Sequence, residues 1–83
     1  MTYIATFYTH FAAMNFARRL KKSGVPGEMM PVPRQLSSSC GSCVRFTTEQ
    51  DPASFVCEET EKIVLVQPDS YQLVWAEKET ERI

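Results

Sequence analysis

Between residues 10 and 23 the apolar positions Ala13, Phe16, Ala17 and Leu20 stand at i, i+3, i+4 and i+7. A helical backbone gathers them on one face and turns Asn15, Arg18, Arg19 and Lys22 elsewhere. Thr9 offers an N-cap hydroxyl, Gly24 suits the left-handed position past the last turn, and Pro26 stops continuation. The basic residues near the end of this helix complement its dipole. Ahead of it, residues 2–8 alternate loosely and are rich in aromatic and β-branched types, the signature of a strand. After it, residues 28–32 are short and apolar, but Pro31 and Pro33 deny them a full hydrogen-bond ladder, so an edge strand ending at a bulge is expected. Residues 34–42 follow neither period. Residues 44–48 read as a further strand, with Val44, Phe46 and Thr48 on one face and Arg45 and Thr47 on the other.

Residues 53–67 admit two readings. Asp51-Pro52 is a good cap and first-turn pair, and a helix would place Val56, Thr60, Ile63 and Gln67 on one stripe, with Glu58 and Lys62 paired at i,i+4. Alternatively, the helix ends near Glu61, and residues 62–67 form a strand that turns through Pro68-Asp69-Ser70 into a strand over residues 71–76. The long helix is the reading adopted, because it closes an even set of elements. The order is then β-α-β-β-α-β, a ferredoxin-like α/β plait: a four-stranded antiparallel sheet with two helices on one face. Its core would contain Ala13, Phe16, Ala17, Leu20, Val44, Phe46 and Val56. In this topology the turn into the first helix and the connection between the second and third strands emerge at one end of the sheet. Thr9 and His10 are therefore expected beside the serine- and cysteine-rich loop.

Composition adjusts this picture only slightly. With 83 residues, 43% apolar and 23% charged, the chain supports one soluble domain over residues 1–83 with a thin core, its polar end at residues 77–83 fraying. The longest apolar runs are far below the ~20 residues of a membrane span. No basic segment precedes an apolar one at the N-terminus, so the cytoplasm is the expected compartment. Net charge is -1, yet residues 1–48 carry six basic side chains against Glu28 alone, and residues 49–83 carry three against nine acidic ones. That split gives a basic and an acidic side if the halves stay apart in the fold. Neither the charge nor the aromatic pattern of a nucleic-acid-binding plait is present, and the serines lack the surrounding motif of a nucleotide phosphate loop.

The chemistry lies in Cys40-Gly41-Ser42-Cys43, a single C-x-x-C, with Cys57 apart. Three cysteines do not make a disulfide framework, and one such pair supplies too few ligands for a zinc site within one chain. Two copies could share a metal across an interface. A thiolate at Cys40 has candidate stabilisers in Arg34 and Arg45, in the free N–H groups of the first helix, and in the backbone around Ser39 and Gly41, where Ser37 to Ser39 could line an anion nest. Arg34 follows the stiff Pro31-Val32-Pro33 run, which suits it to an oxyanion or thiolate, or to pairing with Glu28. His10, the one histidine, could donate to a loop carbonyl or assist deprotonation. Cys57, on the second helix, reads as a small buried hydrophobe.

Thr6-Phe7 with Thr9-His10, Ala12-Ala13, Gly24-Val25-Pro26, Met30-Pro31-Val32-Pro33-Arg34, and Ser37-Ser38-Ser39-Cys40-Gly41 with Arg45-Phe46 together resemble the small proteins described as selenium/sulfur carrier-like. The likeness covers residues 3–48 well and the remainder in outline. It implies a compact α/β domain whose cysteine before glycine, Cys40, carries sulfur or selenium. It also implies partners of the cysteine desulfurase or sulfurtransferase type as donor, and a separate acceptor protein. Members often have an aliphatic or small residue where this chain has Cys43, which as a resolving thiol would discharge a Cys40 persulfide by forming the disulfide. The second class of function is a non-catalytic, redox-responsive or metal-holding adaptor.

Overall fold

The computed structural model describes residues 1–77. Its elements are β1 (Thr2–Phe7), α1 (His10–Lys22), β2 (Gly27–Pro31), β3 (Ser42–Thr47), a single 3-10 turn (Pro52–Phe55), β4 (Thr60–Val66) and β5 (Tyr71–Ala76). The strands form one antiparallel sheet in the order β2-β3-β1-β4-β5. Among the described residues this is an α+β fold with one helix and five strands, which corrects the expected two helices and four strands. The first four strands keep the plait's order, with the second helix reduced to one turn and an extra hairpin strand at the edge. The frayed tail expected at residues 77–83 lies, beyond Glu77, outside the described residues.

The second helix fails for a local reason. Asp51 caps the turn as expected, accepting from Ala53 N at 3.1 Å, with Pro52 in its first position. Val56 then leaves helical geometry at ψ 138°. Further along, Ile63-Val64-Leu65-Val66 is an apolar run that periodicity alone cannot divide between a buried strand and a helix. Pairing decides it: β1 is central and needs a partner on each side, and β4 takes the side that β3 leaves open. Ile63 and Leu65 then face the helix layer, while Val64 and Val66 face the other side. Cys57 consequently lies between the turn and β4 rather than on a helix, half-buried against the main core.

That core lies between α1 and the sheet. Ala13, Phe16, Leu20, Val44 and Phe46 are buried in it, joined by Tyr3, Ala5, Phe7, Ala12, Phe55 and Ile63, while Ala17 and Val56 pack against its margin. Phe16 sits at the centre of an aromatic chain, with ring centroids 5.1 Å from Phe7 and 5.3 Å from Phe46. Gly24, at φ +74°, ends the helix: its N–H donates to Lys21 O at 3.1 Å and Val25 N–H to Leu20 O at 3.0 Å, a Schellman closure that buries Val25 beside Leu20. β2 is an edge strand as expected, and its ladder to β3 is continuous from Gly27 to Pro31 without a bulge. The charge halves divide the sheet between them and meet along the pairing of β1 with β4. β1, β2, β3 and α1 come from the basic half, whereas β4 and β5 come from the acidic one.

Candidate functional site

Two loops meet at one end of the sheet, as the topology requires. Thr9 caps α1, its hydroxyl accepting from Ala12 N at 3.1 Å and donating to Glu59 Oε1 at 2.8 Å. Glu59 takes the left-handed conformation at φ 69°, and its carbonyl accepts from Tyr8 N at 3.0 Å. His10, the first residue of the helix, places Nδ1 3.0 Å from the Ser42 hydroxyl, at the start of β3. The serine and cysteine loop thereby adjoins the helix N-terminus.

The loop itself spans residues 32–41. Its base is closed by Val32 N donating to Gly41 O at 3.1 Å, and Leu36 N donates to Pro33 O at 3.0 Å within it. Leu36 and Val32 pack down onto Ile4, Cys43 and Val64, a second apolar cluster on the sheet face away from α1. Ser38 fixes the stretch before Cys40. Its hydroxyl accepts from Cys40 N at 3.3 Å and lies 3.2 Å from Phe7 O and 3.1 Å from Glu61 Oε1. The same Glu61 oxygen accepts from Thr6 Oγ1 at 3.1 Å, and Lys62 Nζ donates to Ser37 O.

The two thiols of the C-x-x-C have unlike settings, and both are free. Cys40 is partly exposed on the loop. Cys43 is fully buried on β3 opposite Thr6, its Sγ donating to Pro31 O at 3.7 Å. Burial, and secondarily the nearby Cys40, push the Cys43 thiol from 9.0 up to about 11. Cys57 Sγ lies 3.8 Å from Thr60 Oγ1, ahead of β4.

The other expected site residues are distributed unevenly. Ser39 and Gly41 flank Cys40 on the exposed rim of the loop. Gly41 lies outside the left-handed region, and a Cβ there would meet nothing within 4 Å, so its backbone conformation does not demand glycine. Arg34 belongs to the loop and is exposed, while Arg45 lies in the body of β3 opposite Glu28, three positions beyond Ser42. Among the described residues neither guanidinium makes an ion pair or hydrogen bond. Ser38 is legible in sequence only as one of three serines of a candidate anion nest, and Glu61, Thr6 and Lys62 are not legible as site residues, because the connection of Glu61 to this loop exists only once residues 60–66 pair with β1. Among the described residues no group of three or more His, Cys, Asp or Glu is placed to hold a metal ion, and no helix is long and apolar enough to cross a membrane.

No curated protein and no solved structure matches the chain. A family model does: residues 2–65, which contain the whole of α1, the 32–41 loop, both cysteines of the C-x-x-C and the Glu61 anchor, match the family described as "Putative Se/S carrier protein-like", and the chain belongs to that family.

Proposed function

We propose that the protein carries sulfane sulfur or selenium on Cys40, receiving it from a donor protein of the cysteine desulfurase or sulfurtransferase type and passing it to an acceptor protein. The observation that supports this most directly is the contrast between two thiols three residues apart: Cys40 is reachable on an anchored loop, whereas Cys43 is covered and held in its protonated form. A carrier needs one accessible sulfur and protection of the loaded state. In loading, the Cys40 thiolate attacks the outer sulfur of the donor's persulfide, forming the Cys40 persulfide and releasing the donor thiolate. In unloading, an acceptor thiolate attacks that outer sulfur and Cys40 leaves as thiolate.

Arg34 and the exposed backbone of Ser39 and Gly41 are the groups assigned to the anionic persulfide, with His10 steadying the loop through Ser42. Cys43 is the resolving thiol, discharging the persulfide when the acceptor fails to appear. The test is mass spectrometry of the protein after exposure to a low-molecular-weight persulfide, with wild type, Cys40→Ser and Cys43→Ser side by side. A gain of about 32 Da at the Cys40 peptide is expected in wild type and is expected to last longer in Cys43→Ser. An adduct confined to Cys57, or none, removes the reading.

A further inference from the structure

The sheet face away from α1 is covered by the 32–41 loop near Cys43, where Val32 and Leu36 lie over Ile4, Cys43 and Val64. Arg45, two positions along β3 on the same face, is exposed, whereas Cys43 has no accessible surface. A reagent that reaches the Cys43 sulfur from solvent therefore requires the loop to lift. Beside the bonds from Val32 N to Gly41 O and from Lys62 Nζ to Ser37 O, the loop is anchored at the Ser38 hydroxyl, the one of these contacts that also takes the Cys40 N–H. Ser38 has a single proton to share between Phe7 O and Glu61 Oε1, and its oxygen also receives the Cys40 N–H. The bonds at this hydroxyl join β1, β4 and the acceptor cysteine at one point, and Thr6 holds the Glu61 oxygen in place from β1.

We propose that Ser38, held by Glu61, is the latch that keeps Cys43 from a persulfide on Cys40, so that release of this loop sets the lifetime of the loaded state. The proposal rests on Cys40 being the acceptor. In the discharge step, the Cys43 sulfur attacks the inner sulfur of the persulfide. A bond forms between the two cysteine sulfurs and the bond to the outer sulfur breaks. The outer sulfur leaves as hydrosulfide with that bond's electron pair and the Cys43 proton. The two cysteine sulfurs together lose two electrons and the sulfane sulfur gains them, so no outside oxidant is consumed. An external dithiol returns the disulfide to the free pair. While the latch holds, the Cys43 thiol stays buried beneath the loop with its proton directed at Pro31 O.

Two signals test it on the intact protein under native conditions near neutral pH. One is labelling of Cys43 by N-ethylmaleimide, read peptide by peptide; the other is decay of the adduct on Cys40 after loading with cysteine persulfide. Ser38→Ala and Glu61→Ala should accelerate both by roughly five- to twentyfold, the range expected for one or two lost hydrogen bonds. Ser38→Thr and Glu61→Gln, which keep a hydroxyl and an acceptor oxygen, should stay near wild type. Cys57 labelling should not change in any of the four. Wild-type labelling of Cys43 in both alanine variants overturns the latch, as does equal acceleration at Cys57, which would place the effect in the whole fold. Failure of wild type to form the Cys40 adduct removes carriage instead, and the labelling signal then still decides whether the loop is latched at Ser38.

Discussion

His10 Nδ1 and the Ser42 hydroxyl stand 3.0 Å apart across 32 positions of sequence. The contact joins the first residue of the helix to the first residue of the strand that leaves the cysteine loop, so the loop's end is tied to the helix N-terminus. Thr9 fastens the neighbouring position to Glu59, and Ser38 fastens the loop's middle to Phe7 and Glu61. This end of the molecule is thus assembled from three stretches of chain that short polar contacts tie together.

Thr9 offers the simplest test of that dependence. Its hydroxyl is both the cap of α1 and the donor to Glu59, so Thr9→Ala removes two contacts at once. Loss of the cap alone costs about 1 kcal/mol. In a domain of this size that corresponds to a fall in Tm of about 4–8 °C. Thr9→Ser keeps both contacts and should recover most of the loss in thermal unfolding followed by circular dichroism.

Burial of Cys43 should appear in the pH dependence of stability. In the unfolded chain the thiol ionises near 9.0, while in the fold it is pushed up to about 11. Between these values the unfolded state gives up a proton that the native state keeps, so stability is complete below pH 9 and falls as pH rises through the window. At its upper end the loss is roughly 2–3 kcal/mol. Urea unfolding of wild type and Cys43→Ala at several pH values isolates it, because other alkaline titrations cancel in the difference. A constant difference across the window would show that Cys43 is reached by solvent in the native state.

Much of the architecture was legible because helix, cap and aromatic spacing agree with one another. The stripe Ala13, Phe16, Leu20, the Thr9 cap and the Gly24 stop each specify the same helix, and the resulting plait topology brings His10 to the loop. In the second half the hairpin of β4 and β5 is readable only as the alternative to a long helix, for two physical reasons. Ile63-Val64-Leu65-Val66 is apolar on successive positions, so it fits a strand buried on both faces as well as a helix. The Asp51-Pro52 cap is also real, but it starts a turn that ends at Val56, and local start signals do not carry length. The candidate site inherited this error. Cys40, Cys43 and His10 were visible by residue type, whereas Ser38 and Glu61 owe their importance to a strand pairing that one sequence does not declare.

Arg34 and Arg45 look equivalent in sequence as supports for a Cys40 thiolate, and the fold separates them. The bond from Val32 N to Gly41 O brings the two ends of the loop together, with Arg34 two residues from one end and Cys40 one residue from the other. Arg45 lies three positions past Ser42, about 10 Å along an extended strand, beside Glu28 on β2. An exposed charge in this setting is worth up to ~1 kcal/mol. Arg34→Ala should therefore slow iodoacetamide alkylation of Cys40 at neutral pH by about two- to fivefold, a range set by the same magnitude. Arg45→Ala should leave the rate at the wild-type value. Screening shortens the reach of such a charge to about 3 Å in 1 M salt, so the Arg34 effect should fade there while any effect of altered packing would persist. Cys43, covered and held protonated, should label far more slowly than Cys40 in every variant. A larger loss in Arg45→Ala than in Arg34→Ala would shift the electrostatic support from the loop to β3, and an unchanged rate in both would leave the backbone around Ser39 and Gly41 as the thiolate's remaining assigned stabiliser.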